Sequence, residues 1–363
     1  MPRIQSSRQE ARHADARRYE VEVIPGLEAV AVEELRSRLR RAVTIEPSHK
    51  EGLIPITYVG PRAALLDLMT VLAVYERHLF TIPRPKALLG QSAFDLLLTL
   101  IDTVRALHPA GTFQTFRISA AGADSSVLVR LREELAARTG LSYVADEGDL
   151  LLRLRRPLEA AAGWEVLARL SPRPLSTRTW RVCNLVGALN ASVAHAMAWL
   201  AQPHADDVVL NLCSGSATLL IERLALASAR IAVGCDIDPV ARACAAENIA
   251  ASGAEMIRIE TWDVGALPTP DAWVDAVLVD LPFGQLVGSH ASNRVLYPRV
   301  LHTATRVTTS GGLMVAITQD IRLWEGLVAD AAADWTLDTV LPIKLPFGGG
   351  HLRPRIYVLR RKG

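Results

Sequence analysis

The sequence predicts an α/β protein whose C-terminal half forms a Rossmann-like, doubly wound and mostly parallel sheet, preceded by an α+β region. From residue 208 onward, short apolar strands alternate regularly with helices, which is typical of a parallel sheet with helices on both faces. Half of the 363 residues are apolar, so the chain can bury two or three cores. Ligands of such sheets bind beyond the carboxyl ends of the strands, which indicates where to search for chemistry.

The elements of the C-terminal half follow from short β-branched runs and from helical spacing of apolar residues. We predict strands over 208–212, 231–236, 257–261, 274–279, 313–318 and 355–359, and helices over 218–229, 239–252 and 294–308. Gly348-Gly349-Gly350-His351 reads as a hairpin turn near the edge of the sheet, with a substrate loop as the second interpretation.

The N-terminal half is less regular. We predict strands over 19–24, 112–118 and 150–154, and helices over 27–39, 62–80, 92–107 and 127–139. Prolines at 157, 172 and 174 suggest a linker. The predicted division is an α/β segment over 1–60, a small α/β module over 61–160, a linker over 161–185 and the large domain over 186–363.

Composition excludes several classes of protein. No apolar run reaches the roughly 20 residues of a membrane helix, and the start of the chain is polar and rich in arginine. The four cysteines, at 183, 213, 235 and 244, have no close pair and no histidine at metal-binding spacing, so we expect reduced, buried thiols and no metal. From this we expect a cytoplasmic protein, and we further expect it to be a monomer.

Arginine is concentrated between Arg153 and Arg181, where only two glutamates oppose seven arginines. An excess of guanidinium groups indicates a partner that carries phosphate, although a solvated surface would look the same. The candidate RNA contacts in or beside this segment are Arg153, Arg155, Arg173, Arg178 and Arg181.

The loop after the first C-terminal strand consists of small residues and leads directly into a helix. It runs from Asn211 through Ser214, Gly215 and Ser216 to Thr218. Small residues let the backbone approach a ligand, and the helix start offers free amide groups. Asp236 ends the next strand and can hold ribose hydroxyls, whereas the loop lacks the further glycines of a dinucleotide-binding fingerprint.

The fourth strand supplies the most specific signal. It runs into Asp280-Leu281-Pro282-Phe283. The Asp280 carboxylate and the Leu281 carbonyl can accept hydrogen bonds from an NH2 group, Pro282 fixes the backbone, and Phe283 offers a ring on which an extruded base can stack. Asp263, after the third strand, could accept a hydrogen bond from an adenine amino group.

These motifs resemble those of the THUMP-domain RNA guanine-N2 methyltransferases. Asp280 to Phe283 resembles the (D/N)-P-P-(Y/F) motif of amino-group methyltransferases, in its Leu variant followed by Gly. Residues 211–218 are similar to the D-P-F-C-G-S-G-T loop of that family, 236–239 to its D-I-D-P segment, and 25–35 to its N-terminal start. The resemblance covers nearly the whole chain.

The resemblance implies a class I methyltransferase fold, S-adenosylmethionine as cofactor and N2 of a guanosine, usually in tRNA, as target. It implies a ferredoxin-like start over 1–60 and a THUMP-like RNA-binding domain over 61–160. Ile237, Val264 and Asp280 then join the loop residues, Asp236 and Asp263 in binding the cofactor. Two positions depart from the family: Asn211 replaces Asp and Ala217 replaces Gly, which we expect to alter cofactor affinity without abolishing activity.

Three alternatives stay open. The target could be a guanine of rRNA or N6 of adenine, because the motif recognises an amino group and not its parent base. The chain could instead bind RNA with a vestigial methyltransferase domain, while a nicotinamide oxidoreductase is disfavoured by the missing glycines. His195 and Trp199, four apart on a predicted helix, read as packing residues.

Overall fold

The computed structural model describes residues 16–48, 50–158, 162–284 and 288–363 and divides the chain into two compact units. Unit 1 comprises Met1–Val23 and Ala31–Leu175, and unit 2 comprises Ile24–Val30 and Ser176–Gly363. The polar start of the chain, residues 1–15, lies outside the described residues. None of the described helices is both long and apolar enough to cross a bilayer.

Unit 1 is built on one sheet of eight strands in the order β2-β3-β1-β4-β8-β7-β5-β6. Its strands are β1 (Arg17–Val23), β2 (Val43–Ile45), β3 (Leu53–Tyr58), β4 (Val71–Phe80), β5 (Thr115–Ala120), β6 (Ser142–Tyr143), β7 (Leu150–Arg155) and β8 (Trp164–Arg169). Its helices are α1 (Glu28–Leu39), which begins in unit 2, α2 (Gln91–Arg105) and α3 (Ser126–Thr139).

The two faces of this sheet differ in chemistry because alternate residues of a strand point to opposite sides. Tyr19 and Val21 on β1 belong to the apolar core, together with buried residues of α2 and α3. Between them, Glu20 lies on the other face, where Arg155 contacts it at 2.6 Å. Arg77 of β4 meets Glu165 of β8 at 2.5 Å on the same face.

Two sequence predictions for this unit are wrong. The helix expected over 62–80 is a short 3₁₀ turn, Arg62–Leu65, followed by strand β4, because apolar residues on both faces of a central strand imitate helical spacing. The linker expected over 161–185 contains β8, which pairs with both β4 and β7. Residues of the predicted segments 1–60 and 61–160 therefore share one sheet, and the THUMP-like assignment stays a prediction.

Unit 2 confirms the predicted doubly wound sheet, with seven strands in the order β11-β10-β9-β12-β13-β17-β14. β17 runs antiparallel to both neighbours, and the other pairs among β9 to β13 are parallel. The strands are β9 (Val208–Leu212), β10 (Ile231–Cys235), β11 (Ile257–Glu260), β12 (Val274–Asp280), β13 (Thr308–Thr318), β14 (Trp335–Pro342) and β17 (Arg355–Arg361). The helices are α4 (Ala191–Leu200), α5 (Thr218–Leu224), α6 (Pro239–Ser252), α7 (His290–Val307) and α8 (Ile321–Asp330).

A separate two-stranded hairpin, β15 (Leu345–Phe347) with β16 (Gly350–Leu352), confirms the turn predicted at Gly348 to Gly350. Gly348 and Gly349 have φ of 53° and 79°, a backbone region that glycine enters without steric cost. The hairpin departs from the ends of β14 and β17 at which Pro342 pairs with Arg355.

The structure corrects the prediction that all four cysteines are unpaired. Cys183 and Cys244 form a disulfide with a Cα–Cα distance of 5.4 Å, whereas Cys213 and Cys235 are free thiols. The two partners are 61 positions apart in sequence, so the pair could not be predicted from cysteine spacing. Disulfides are rare in cytosolic proteins, so this bond also removes the argument for a cytoplasmic protein, which rested on reduced thiols.

The Arg77–Glu165 pair gives a stability test of unit 1. Both side chains are nearly inaccessible, at 4% and 5%, and Glu165 also accepts from Arg155. We expect Glu165→Gln to lower the free energy of unfolding by about 3 kcal/mol, since it removes the carboxylate that contacts the buried Arg77 guanidinium. Urea unfolding measures the change. Glu147→Gln, which breaks an exposed pair with Arg173, is the control and should cost no more than about 0.5 kcal/mol; equal losses in the two variants would contradict the assignment.

Candidate active site

The loop between β9 and α5 has an unusual backbone. Cys213, Gly215 and Ala217 all have positive φ, at 52°, 53° and 62°. For cysteine and alanine this conformation costs about 1 kcal/mol each, and such strain concentrates at functional sites. A Cβ built on Gly215 would meet no atom within 4 Å, so the loop has open space on that side.

Two buried polar atoms beside this loop have no partner among the described residues. They are Asn211 Oδ1 and Ser214 Oγ. The amide nitrogen of Asn211 is used, since it donates to the carbonyls of Leu278 at 2.9 Å and Leu212 at 3.2 Å. Buried acceptors are normally satisfied, so this pair of oxygens fits a ligand that brings its own donors.

Asp236 secures the loop from the end of the neighbouring strand. Its Oδ2 accepts from the Gly215 amide at 2.9 Å and its Oδ1 accepts from the Asp238 amide at 3.0 Å. Asp238 in turn caps α6 by accepting from the Val240 amide. Ile237, between the two acids, is 67% exposed, so an apolar side chain stands in solvent beside the loop. A free apolar surface there suits a flat ring.

Asp263 and Val264 differ in what they can offer. The Asp263 carboxylate accepts from the Gly265 amide at 2.7 Å and from Arg299 at 2.5 Å. The backbone hydrogen bond from Gly265, followed by the contact with Arg299, lowers its pKa, so it stays ionised. The side chain of Val264 lies in the core of the unit, and only its backbone could reach a ligand.

Asp280 is the last residue of β12, paired with Ile317 of β13, while Val279 beside it pairs with Leu212 of β9. None of the described residues donates a hydrogen bond to its carboxylate, and burial raises its pKa to about 7. An acid held in this way is half-protonated at neutral pH and is a strong acceptor when ionised. The Leu281 side chain is fully buried, so its predicted role can involve only the backbone.

Three predicted acids surround one thiol. Burial, together with the neighbouring Cys235 thiol and the carboxylates of Asp236, Asp280 and Asp263, raises the pKa of Cys213 to about 12. Because the strands that carry these acids end at the same edge of the sheet, the fold brings together residues that lie up to 44 positions apart in the chain. The predicted cofactor loop and amino-group motif therefore form one site.

The loop after β12 is held by two side chains that sequence reasoning missed. Tyr297 donates to the Pro282 carbonyl at 2.6 Å, and the Asn293 amide nitrogen donates to the same oxygen at 3.0 Å. Burial raises the pKa of Tyr297, with the carboxylates of Asp320 and Asp280 adding to the effect, so the phenol remains a donor. Two polar residues one turn apart on α7, the first of them ten positions after Phe283, are the signal that could have identified them.

A further acid lies close to this loop. Asp320 follows β13, and its Oδ2 is 2.6 Å from the ring nitrogen Nδ1 of His290 and 3.4 Å from the Asn293 amide. Gly284 and Gly288, with φ of 76° and 71°, shape the chain around Asn293. The His290–Asp320 pair is thereby connected to the Pro282 carbonyl through Asn293.

The segment that leads into unit 2 is built of buried polar contacts. Arg178 donates from Nε and Nη2 to the two carboxylate oxygens of Glu222, at 2.7 and 3.3 Å, and His195 contacts the same carboxylate at 2.8 Å. The prediction that Arg178 binds RNA is therefore wrong, because the guanidinium is inside the unit. Hydrogen bonding to His195 and Arg178 outweighs burial and lowers the pKa of Glu222. His195 is a packing residue, as predicted, with a polar partner.

Arg181 contacts the predicted cofactor loop between β9 and α5 and is not presented at the surface. It donates to the Thr218 hydroxyl and to the Leu189 carbonyl, both at 2.8 Å, and Thr218 contacts the Ser216 hydroxyl at 3.0 Å. Asn248 of α6 donates to the carbonyls of Ser216 and Cys183. Thr218 and Ser216 are buried by these contacts.

The predicted arginines of unit 1 have separate partners. Arg153 pairs with Glu22 at 2.8 Å and lies over the Tyr75 ring, and Arg155 pairs with Glu20. Arg173 is 59% exposed beside an exposed Glu147. Of the five predicted RNA-binding arginines, Arg173 presents the most accessible guanidinium; RNA contacts by this unit stay a prediction. Among the described residues, no group of three or more histidine, cysteine or acidic side chains could hold a metal.

The role of Asn211 can be tested by restoring the acid of the family motif. Asn211→Asp places a carboxylate 2.9 Å from the Leu278 carbonyl at a fully buried position. We expect a loss of about 2 kcal/mol in thermal or urea unfolding, because a buried donor is replaced by a second acceptor. Asn190→Asp is the matched control: the Asn190 oxygen caps α4, and Asp caps equally well. A variant at 211 as stable as the one at 190 would refute this reading.

The raised pKa of Asp280 predicts a pH-dependent stability. The native carboxyl titrates near 7 and the unfolded one near 3.8, so native Asp280 increasingly opposes folding as pH rises from 4 to 7, and the effect is constant above 7. We expect Asp280→Asn to raise the free energy of unfolding by about 1–2 kcal/mol at pH 8 and not at pH 4. Asp263→Asn should destabilise at pH 8, since that pKa is lowered. The prediction fails if Asp280→Asn gives the same change at both pH values.

Comparison with known proteins agrees with the geometry. Residues 178–337 match the family model UPF0020, described as the RMKL-like methyltransferase domain. Human tRNA (guanine(6)-N(2))-methyltransferase THUMP3 is 30% identical over 187 residues, which are 48% of this chain and 36% of that protein. Bovine U6 snRNA (guanine-N(2))-methyltransferase THUMPD2 is 30% identical over 133 residues, 36% of this chain and 26% of that one. The chain thus spans about a third of the length of these relatives.

A solved structure extends the likeness in fold to the whole chain. TrmN from Thermus thermophilus superposes with a TM-score of 0.71 at 23% identity, covering 95% of this chain and 99% of that one. This identity shows a shared fold only. Residues 178–337, less than half of the chain, are thus similar to the UPF0020, RMKL-like methyltransferase domain, and the doubly wound sheet of unit 2 is the class I methyltransferase fold that the sequence predicted.

Proposed function

We propose that this protein transfers a methyl group from S-adenosylmethionine to the exocyclic N2 of a guanosine in RNA, with tRNA as the substrate. The observation that carries the proposal is Asp280, whose carboxyl has no hydrogen-bond donor among the described residues and whose pKa burial raises to about 7. It lies at the strand edge beside a strained loop with unsatisfied buried oxygens. The names of THUMP3 and THUMPD2 support a guanine N2 target. A cytoplasmic, monomeric protein remains part of the proposal.

The residues of the loop fit the methyl donor. Asn211 Oδ1 and Ser214 Oγ have no partner in the ranges that the structure describes and can accept from its ammonium group. The open side of Gly215 admits the donor closely, and Ile237 offers an apolar surface to its adenine. Asp263 would accept from the adenine amino group. Asp236 accepts two backbone hydrogen bonds and keeps further acceptor capacity for ribose hydroxyls.

When held by these residues, S-adenosylmethionine would supply an electrophilic methyl group; its sulfonium sulfur would leave as a neutral thioether and the target amine would give up one proton. Asp280 and the Leu281 carbonyl accept hydrogen bonds from the NH2 group and orient its lone pair. Asp280 stabilises the positive charge that develops on nitrogen and can take the proton, for which a pKa near 7 is well matched. Phe283, half-buried beside it, provides the stacking surface.

Positioning supplies the remainder of the catalysis. The Tyr297 and Asn293 donors fix the Pro282 carbonyl and hence the backbone that presents Leu281. A reaction between a charged donor and a weak nucleophile gains most from correct alignment and exclusion of water. The rigidity of this loop therefore belongs to the proposed mechanism.

The assigned role of Asp280 gives a pH prediction. Because the carboxylate is the active form, kcat/KM should fall about tenfold per pH unit below about 7 and level off above it. Asp280→Ala should abolish turnover while binding of S-adenosylmethionine, measured by calorimetry, largely survives. Asp338→Asn, which removes an acid paired with Arg360, should leave the profile unchanged. Near-normal turnover of Asp280→Ala would refute the role.

The acceptor can be identified by mass spectrometry of nucleosides. Incubation with unmodified tRNA should produce N2-methylguanosine, and rRNA and U6 snRNA should serve as poorer acceptors. Formation of N6-methyladenosine would show that the target base is adenine and not guanine. Cofactor binding without methylation of any of the three RNAs would support the vestigial alternative.

A further inference from the structure

The strand order of unit 2 places the two sides of the candidate site apart. β12, which carries Asp280, has β9, β10 and β11 on one side and β13, β17 and β14 on the other. The proposed cofactor residues all come from the first side or from Asp280 itself. The carboxyl end of β13 and the start of β17 therefore lie on the other side of Asp280, and they are here named the β13–β17 edge. None of the roles proposed above involves this edge.

Three exposed arginines lie around the β13–β17 edge: Arg294, Arg322 and Arg353. Within the ranges that the structure describes, their guanidinium groups have no hydrogen bond, ion pair or aromatic contact, in contrast to most arginines of the chain. The Arg353 backbone N–H donates to the side-chain oxygen of Gln319, the residue directly after β13, at 3.0 Å. Arg322 is in the first turn of α8, two residues after Asp320.

The neighbouring acids do not neutralise this charge. Asp320 is engaged by His290 at 2.6 Å, and Glu325 is engaged by Arg355 at 2.7 Å and by the Tyr357 hydroxyl at 3.0 Å. His290 shares a helix face with Arg294, four residues further on. With Arg355 included, four arginines face the two carboxylates of Asp320 and Glu325, so the β13–β17 edge carries a net positive charge next to the carboxyl group that would hold the target amine.

The hairpin β15–β16 departs from the same edge. It begins three residues after Pro342, whose Cα partner is Arg355, and Arg355 is paired with Thr318 at the end of β13. Phe347 beside its turn is 37% exposed, and His351 on its second strand is also exposed. A ring and an imidazole on a projecting ribbon are groups on which unpaired bases stack.

We propose that the β13–β17 edge is a binding site for the sugar-phosphate backbone of an RNA strand flanking the target nucleotide. Arg322 and Arg353 each hold a phosphate, Arg294 adds charge, and the Phe347 side of the hairpin supports a neighbouring base. This inference rests on the proposed function. Guanidinium groups without carboxylate partners bind phosphate through paired N–H donors. Such contacts position a strand without reading its sequence.

The test uses the full chain and a fluorescent, unmodified tRNA transcript, with Arg322→Ala/Arg353→Ala compared with Arg230→Ala/Arg258→Ala. The control residues are exposed, remove the same charge, and lie near the amino ends of β10 and β11, on the opposite edge of the sheet. Anisotropy over a series of KCl concentrations gives Kd and its salt dependence. Calorimetry gives the affinity for S-adenosylmethionine, and thermal unfolding gives the stability.

We expect the β13–β17 variant to bind tRNA roughly tenfold more weakly and to show a salt slope smaller by about 1.4, or about 0.7 for each lost phosphate on a single strand. Its KM for tRNA should rise while cofactor affinity and stability stay unchanged. The control pair should behave as wild type in every measurement.

Three results would overturn the inference: an unchanged slope in the β13–β17 variant, an equal loss in the control pair, or binding of polyglutamate as tight as that of tRNA, which would mark a site for an acidic protein. A failure of the proposed function is separable. Wild-type protein that binds tRNA through this edge but methylates no RNA would leave the binding site standing and remove the reaction.

Discussion

The candidate site depends on one physical constraint: a carboxyl group kept at the end of a central strand, to which no residue in the described part of the chain donates a hydrogen bond. β12 holds Asp280 in register between β9 and β13, so neither side chain nor backbone needs to move to present it. The fold bears a cost for this arrangement, since burial works against ionisation of that carboxyl. Hydrogen bonds stabilise the loops on either side of this carboxyl. They are the two bonds donated to the Pro282 carbonyl and the bond from the Gly215 amide to the Asp236 carboxylate.

Most arginines singled out by the sequence build the fold. Arg178 is neutralised by Glu222 inside unit 2, and Arg155 is shared between Glu20 and Glu165 in unit 1. Their partners lie 10 to 135 residues away in sequence, so a local count of charges could not identify them. The arginines without partners, such as Arg322, stand singly in the sequence. The density of arginine along the sequence therefore did not predict which guanidinium groups are unpaired in the described structure.

The catalytic half could be predicted closely because each of its strands is a short apolar run that ends at a polar residue. The predicted bounds of β9 and α6 match the structure residue for residue, and Asp236, Asp263 and Asp280 act on one thiol as their strand ends imply. Unit 1 was less predictable. β4 has apolar residues on both faces, and β8 lies among prolines that suggested a linker. In both, pairing with distant strands overrides the local pattern.

The two departures from the family motif have physical explanations in this fold. At position 211 the buried side chain faces the Leu278 carbonyl, and an amide can donate to that oxygen where a carboxylate would repel it. Its remaining oxygen still faces the loop without a described partner, so the acceptor that a ligand would use is retained. At position 217 alanine adopts a positive φ, which glycine would take without strain. Within the described residues, the Asn211 oxygen remains unpaired and the side of Gly215 remains open, which argues against a decayed site.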